Sequence, residues 1–265
     1  MVKISVIMGI YNCASTLQEA LDSLYAQTFQ DFEIILCDDG SQDNTYEVAL
    51  ENQRQHDNIV LLRNEQNMGL NATLNKCLSA AKGEYIARMD GDDISLPTRF
   101  EKQVQFLDEN CKYAIVSTPM IHFDKNGEIY RGGVREGEVN KHIFNYGSPF
   151  CHVPSMVRAT AFNDVGGYTV HPWLIRIEDY DLWRRLYEKG YIGYNLGEHL
   201  YMMRDDMNAI KRRTFRARCN SIYAHWLAYN GLKLSFFLFL RYAIIMLILG
   251  IMPICLYKWL RGLSK

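Results

Sequence analysis

The sequence predicts an α/β fold built on a mostly parallel sheet, followed by an α-helical C-terminal appendage. Three observations predict it. Apolar runs of strand length alternate with helical spacings over the first ~90 residues, which implies βαβ units. Three of those runs end in polar clusters, Tyr11-Asn12, Asp38-Asp39 and Asp90-Gly91-Asp92-Asp93, which is where open parallel sheets bind ligands. Residues 207–265 contain no acidic residue and ten basic ones, so residues 1–206 carry a formal charge of −11 against an overall −1. The expected division is therefore a domain over 1–206 and a basic, apolar helical region over 207–265.

The elements follow in order. Lys3–Ile10 is a short apolar run, as in a buried parallel strand. Thr16 with Glu19 reads as a capping box, and Leu17, Ala20, Leu21 and Leu24 continue at helical spacing. Phe32–Cys37 is a second strand. Asp43 can cap a helix to about Gln53. Asn58–Arg63 is a third strand, and Asn67-Met68-Gly69 turns into a helix through Leu70, Leu74, Cys77 and Leu78 that stops at Gly83. Glu84–Met89 is a fourth strand. A helix over Pro97–Glu109 starts with proline in its first turn. Strands at Tyr113–Ser117 and Met120–Phe123 are followed by the turn signal Asp124-Lys125-Asn126-Gly127. Residues 131–150 read as a loop or short helix, Pro154–Val157 as a strand and Asp164–Pro172 as a loop. A helix opens at Glu178-Asp179 and stops at Gly190, and Tyr191–Leu200 suggests a closing hairpin.

Arg88-Met89-Asp90-Gly91-Asp92-Asp93 packs three carboxylates into four positions after a strand. Such carboxylates raise one another's pKa unless a cation sits among them. Hard oxygen ligands on a short turn suit Mg²⁺ or Mn²⁺ shared with a diphosphate; a solvated Asp/Gly turn is the alternative. The seven cysteines form no C-x-x-C pair, which reads as reduced thiols of a cytosolic compartment. The apolar start turns polar at Tyr11, too early for a signal peptide. Neither G-x-G-x-x-G nor a Walker A loop occurs, which argues against dinucleotide and P-loop sites.

The ordered set of stretches resembles the family-two inverting glycosyltransferases. These stretches are Ser5–Asn12, Ser23–Phe29, Cys37-Asp38-Asp39-Gly40-Ser41, Asn67-Met68-Gly69, Met89–Asp93, Gly166-Gly167-Tyr168 and Glu178–Trp183. The resemblance covers about residues 3–205 and implies the GT-A fold, a Rossmann-like nucleotide-diphospho-sugar transferase domain. It implies a donor site of Ile10, Tyr11, Asn12, Asp39, Asn67, Gly69, Asp90, Gly91 and Arg204. Asp39 would accept the uracil N3–H and Tyr11 would stack on the base, with dTDP satisfying the same contact. Asp92 would be the metal ligand, and the metal, Mn²⁺ or Mg²⁺, would stabilise the leaving diphosphate. Asp179 would be the general base that deprotonates the acceptor hydroxyl. A helix N-terminus would favour its ionised form, although helix capping is the other use of Glu178 and Asp179. His152, Glu178 and Trp183 would line the sugar and acceptor pocket, Trp183 alternatively being core. Many members carry a His shortly after the basic residue, whereas Arg204-Asp205-Asp206-Met207-Asn208 has none; Asp206 is a substitute. The absence of Q-x-x-R-W after Asp179 argues for transfer of one sugar.

The appendage begins with a basic helical stretch over 211–230. The run from Tyr242 to Tyr257 is uncharged for 16 residues and contains Gly250 and Pro253. A span needs about 20 residues, so two interfacial helices on an anionic leaflet are expected. A tilted span or re-entrant hairpin and a dimer interface are the alternatives, and an oligomer is left open. Long apolar runs in this basic tail favour a membrane surface over nucleic acid. The expected function is transfer of a sugar from a UDP-sugar to a polyprenyl-diphosphate-linked saccharide, at the cytoplasmic face of the inner membrane, in O-antigen or capsule assembly. Competing readings are a sugar-nucleotide nucleotidyltransferase and a non-catalytic membrane scaffold with a degenerate transferase domain.

Overall fold

The computed structural model describes residues 2–205 and 214–252. Expectations placed on Asp206, Lys211, Arg212, Arg213, Pro253 and the distal part of the appendage lie outside the described residues.

An eight-stranded sheet forms the centre. Its strands are β1 (Ile4–Ile10), β2 (Phe32–Asp38), β3 (Ile59–Arg63), β4 (Tyr85–Arg88), β6 (Tyr113–Ser117), β9 (Gly137–Glu138), β10 (Met156–Arg158) and β11 (Ile192–Asn195). Their order is β3-β2-β1-β4-β10-β6-β11-β9. β1 pairs in parallel with β2 and β4, and β2 with β3. β10 runs antiparallel between β4 and β6. Strand alternation then sorts the core. Ile4, Val6, Met8 and Ile10 face one layer with Leu17, Leu21 and Leu24 of α1 (Ala14–Tyr25), Ala49 of α2 (Thr45–Gln55) and Phe100 of α4 (Arg99–Glu109). Ile7 faces the other layer, with Leu74 and Cys77 of α3 (Leu70–Ala80), Phe162 of α5 (Ala159–Val165) and Leu182 and Leu186 of α6 (Glu178–Glu188). Each such fully buried side chain contributes roughly 1.5–3 kcal/mol.

A smaller sheet, in the order β5-β12-β7-β8, contains β5 (Ile94–Ser95), β12 (Tyr201–Arg204), β7 (Met120–Asp124) and β8 (Gly127–Gly132). The expected turn at Asp124-Lys125-Asn126-Gly127 closes the β7–β8 hairpin. Beyond the domain, α7 (Phe215–Leu232) packs on α6 through Ala224 and Ala228. His225 of α7 is stacked between Tyr180 of α6 and Tyr242 of α8 (Phe236–Ile251).

Two expectations need correction, and two segments carry structure beyond what their sequence announces. Tyr191–Leu200 is not a hairpin: β11 joins β6 in the large sheet, while β12 joins β7 and β5 in the small one. Thr16 does not cap α1. The helix already starts at Ala14, and the Thr16 hydroxyl donates to the Cys13 and Gly91 carbonyls. Glu19 instead accepts from Arg204. The segment 159–165 forms α5, which is too short to show a helical period. Within 131–150 the chain forms β9 and a 3-10 turn at Lys141–Asn145.

Candidate active site

The ends of β1 and β2 build one side of the cleft. Asn12 takes a left-handed turn, φ 49°, which Asn tolerates better than most residues. Its Oδ1 accepts from the Gln42 N–H at 2.8 Å, and its own N–H donates to Ser41 Oγ at 3.0 Å. This turn leaves the Tyr11 ring 46% exposed at the cleft mouth. Asp39 is only 4% exposed. Its Oδ1 accepts from Asn64 Nδ2 and the Met68 N–H, both at 2.8 Å, and its Oδ2 from the Gly69 N–H at 2.9 Å. A carboxylate has about four acceptor positions, so Asp39 retains room for one further donor. Gly69 holds φ 86°, which places the Asn67–Gly69 turn against Asp39. Ile10 differs from the expected role: its side chain is buried in the core and not in the cleft, and its carbonyl accepts from the Asp39 N–H.

The end of β4 supplies the acidic cluster. One oxygen from each of Asp90, Asp92 and Asp93 lies within 4.8 Å of the others. Asp93 is buried and held, accepting from Tyr201 OH at 3.0 Å and the Arg204 N–H at 2.8 Å. Asp92 is exposed at its outer edge but crowded beneath. Burial and then the neighbouring Asp90 raise the pKa of both Asp92 and Asp93. A glycine is required between Asp90 and Asp92, because a Cβ on Gly91 would meet Cys13 Sγ at 2.8 Å. Arg204 donates from Nε to the Asp92 carbonyl at 2.8 Å and from Nη2 to Glu19, and its guanidinium covers the Phe123 ring. Tyr11, Asn12, Asp90, Gly91, Asp92 and Arg204 line one cavity of about 330 Å³. The donor set is all hard oxygen and its mutual repulsion is only partly offset by Arg88 and Arg204, which fits a divalent cation. Asp92 has the most open carboxylate, with Asp90 beside it.

A second pair of carboxylates is supplied by the first turn of α6. Asp179 accepts from Ser148 Oγ at 3.0 Å. Its pKa is raised, contrary to what the helix N-terminus alone predicts: burial outweighs the Tyr180 N–H and the Ser148 hydroxyl that favour the charged form. Glu178 is pushed to about 7 by burial and by Asp179. Between the two acidic groups lies Arg88, 4% exposed, donating to Asp90 Oδ1 at 2.7 Å. Its Nε and Nη1 have no partner among the described residues. Burial opposes its charge, yet Asp90, Tyr168, Tyr201 and Glu178 around it raise its pKa. His152 is kept neutral by burial and by Arg88, and its Nε2 lies 2.8 Å from Tyr168 OH. Trp183 is a correction: it is 0% exposed and packs edge-on against Phe150 and His152, so it supports the cleft from the core and does not line it. Asn67, Gly69 and Glu178 border a second cavity of about 500 Å³, apart from the Tyr11–Arg204 cavity. Sequence reading passed over Arg88, Ser148, Tyr201 and Glu19. Only Arg88 gave a signal, as a lone cation entering an acidic run.

Glu178 gives a prediction on stability. Its folded pKa of about 7 lies above the ordinary value of 4.5, so between those values the folded state binds more protons. Stability is therefore lost as pH rises through this window. Thermal melts without metal or donor should show Glu178→Gln more stable than wild type at pH 8, by on the order of 2 kcal/mol, and little different at pH 4. Equal melting differences at both pH values would show that Glu178 does not titrate in this window.

Residues 5–166 match Glycosyl transferase family 2. The chain belongs to that family. A Bacillus subtilis protein named as a glycosyltransferase, EpsE, is 44% identical to this family member over 233 residues, 88% of this chain and 84% of the relative. The Escherichia coli UDP-Gal:alpha-D-GlcNAc-diphosphoundecaprenol beta-1,3-galactosyltransferase is 33% identical over 217 residues, 80% of this chain and 77% of the relative. The fold of this family-two chain is also that of S. aureus TarS, solved with UDP-GlcNAc, with a TM-score of 0.71 at 20% identity over 87% of this chain and 66% of that one. The fold is thus GT-A-like, and the nucleotidyltransferase reading is set aside.

Proposed function

We propose that this family-two enzyme moves one sugar, with inversion, from a UDP-sugar to a polyprenyl-diphosphate-linked saccharide in surface-polysaccharide assembly. The observation that carries the reading is the buried Arg88. It donates to Asp90 of the acidic cluster, beside the exposed Tyr11 ring, and its charge also acts on the carboxylates of Glu178 and Asp179. Tyr11 would stack on the base, and the remaining acceptor position of Asp39 would take its N3–H. Gly69 would serve the donor only through the N–H that holds Asp39, since Asn67 and Gly69 otherwise line the Glu178 cavity, and Arg204, already aimed at the Asp92 carbonyl, would face the diphosphate. Asp92 with Asp90 would hold Mn²⁺ or Mg²⁺, which supplies charge neutralisation for the diphosphate when bound. Asp179 is the base: a carboxylate moved upward in pKa is a stronger proton acceptor, and Ser148 fixes its orientation. Glu178 and His152 shape the sugar pocket, His152 through Tyr168. The relative whose name specifies a UDP-galactose donor and a diphosphoundecaprenol-linked acceptor supports the donor and acceptor classes.

The α7–α8 region would hold the enzyme at the cytoplasmic face of the inner membrane. No helix among the described residues is long and apolar enough to cross a membrane. α8 buries none of its residues, and Phe237 and Ile251 are 80% and 77% exposed. An exposed helix of that composition suits an interfacial position. Phe237→Glu should reduce co-sedimentation with anionic vesicles severalfold; unchanged sedimentation would remove α8 from membrane binding.

The test of the reaction is a donor screen. Nucleotide release from UDP-, dTDP- and GDP-sugars, with Mn²⁺ and with EDTA, should show metal-dependent hydrolysis of one UDP-sugar. No release and no nucleotide binding by calorimetry would favour a scaffold.

A further inference from the structure

The Glu178 cavity does not end at the cleft. Across the loop 170–176 lies a second, strongly apolar trough of about 660 Å³, walled by Trp173, Tyr223, Trp226 and Phe239. His171 lines both, so the two spaces adjoin. Asn220 of α7 donates to the Ile175 carbonyl at 3.1 Å, which fixes the loop as the wall between them. Tyr223 stacks on His171 and on Trp226, forming an aromatic floor that leads out to the exposed α8. Arg176, an exposed residue held at φ 66°, lines the Glu178 cavity together with His171. A non-glycine residue held there is strained, and such strain clusters at ligand sites. No ion pair of Arg176 occurs among the described residues.

A carboxylate and a cation thus share one cavity, and the aromatic trough adjoins it at His171. A lipid-linked saccharide has the matching groups, a hydroxyl, a diphosphate and an isoprenoid chain. We propose that the Glu178 cavity and the aromatic trough form one acceptor site, with the diphosphate at Arg176 and the first isoprenoid units against Trp173, Tyr223 and Trp226. This rests on the lipid-linked acceptor proposed above. Aromatic walls suit a branched unsaturated chain because they offer large apolar contact at little entropic cost. The trough then reads the lipid itself and does more than sit on a bilayer.

The experiment compares acceptors in detergent micelles with the full-length chain. Each carries the same saccharide diphosphate, on a polyprenyl chain or on a short straight alkyl chain. Wild type should show a KM about tenfold lower for the polyprenyl acceptor, and Trp226→Ala should erase most of that ratio. Trp226 is half-exposed, so its truncation leaves folding intact; Tyr223→Leu serves as a second variant. Equal KM values for the two acceptors in wild type, with transfer proceeding, overturn the trough and leave the transferase reading standing. A chain-length ratio that survives both variants also overturns it, as does a loss confined to vesicle binding, which would assign the trough to the membrane. Absence of transfer to either acceptor, with donor hydrolysis intact, overturns both the trough and the lipid-linked acceptor.

Discussion

Asp179→Asn is expected to lower kcat by about 10²–10⁴-fold, the usual contribution of a positioned general base, with little change in donor KM. Asn keeps the shape at the first turn of α6 and can still meet the Ser148 hydroxyl, so the fold should survive. What disappears is the proton acceptor. Donor binding depends on the Tyr11–Arg204 cavity on the other side of Arg88, which the substitution does not touch. A second signature follows from the raised pKa of Asp179. The carboxylate must be ionised to act, so activity should fall as pH drops through its elevated pKa. Steady-state kinetics across pH check both. Full turnover by the Asn variant would move the base elsewhere.

Chelation is expected to have the other large effect. With EDTA, transfer should fall by about 10²–10³-fold or more, since charge neutralisation at a leaving diphosphate is worth several kcal/mol. Asp92→Asn should reproduce the loss and raise the Mn²⁺ concentration needed for half-maximal rate. Asp93→Ala should differ in kind. That side chain is buried under Tyr201 and the Arg204 backbone, so removing the acceptor of both hydrogen bonds should lower thermal stability as well as rate. Metal titrations and melting curves of the two variants separate these outcomes. Activity of the Asp92 variant that is indifferent to metal would contradict the assignment.

Much of this architecture is legible in the sequence because the physics is local. β1 and β2 are continuous apolar runs buried on both faces, and their ends deliver Tyr11 and Asp39 to the cleft. The Asp90–Asp93 run is visible because crowded carboxylates after a strand have few structural uses. What was not legible depends on contacts distant in sequence. Arg204 reaches the cluster only because β12 leaves the large sheet and pairs with β5 and β7, and no local pattern announces that choice. Ile10 is adjacent to Tyr11 in sequence but points into the core, since a strand turns neighbouring side chains to opposite faces, and Trp183, one helical turn beyond Asp179, is fully buried. The pKa of Asp179 depends on burial, which competes with the helix terminus and wins. Arg88 takes its place from the fold: Arg99 donates to its carbonyl, and Asp90 turns back onto its guanidinium.

The most direct test of the central claim is the anomeric configuration of the product. The enzyme would be incubated with Mn²⁺, a UDP-sugar and a lipid-linked saccharide, and the new glycosidic bond read by NMR coupling at its anomeric proton. A single displacement with Asp179 as base predicts a configuration opposite to that of the donor, formed only when metal is present. Retention of the donor configuration, or transfer undiminished in EDTA, would contradict the account.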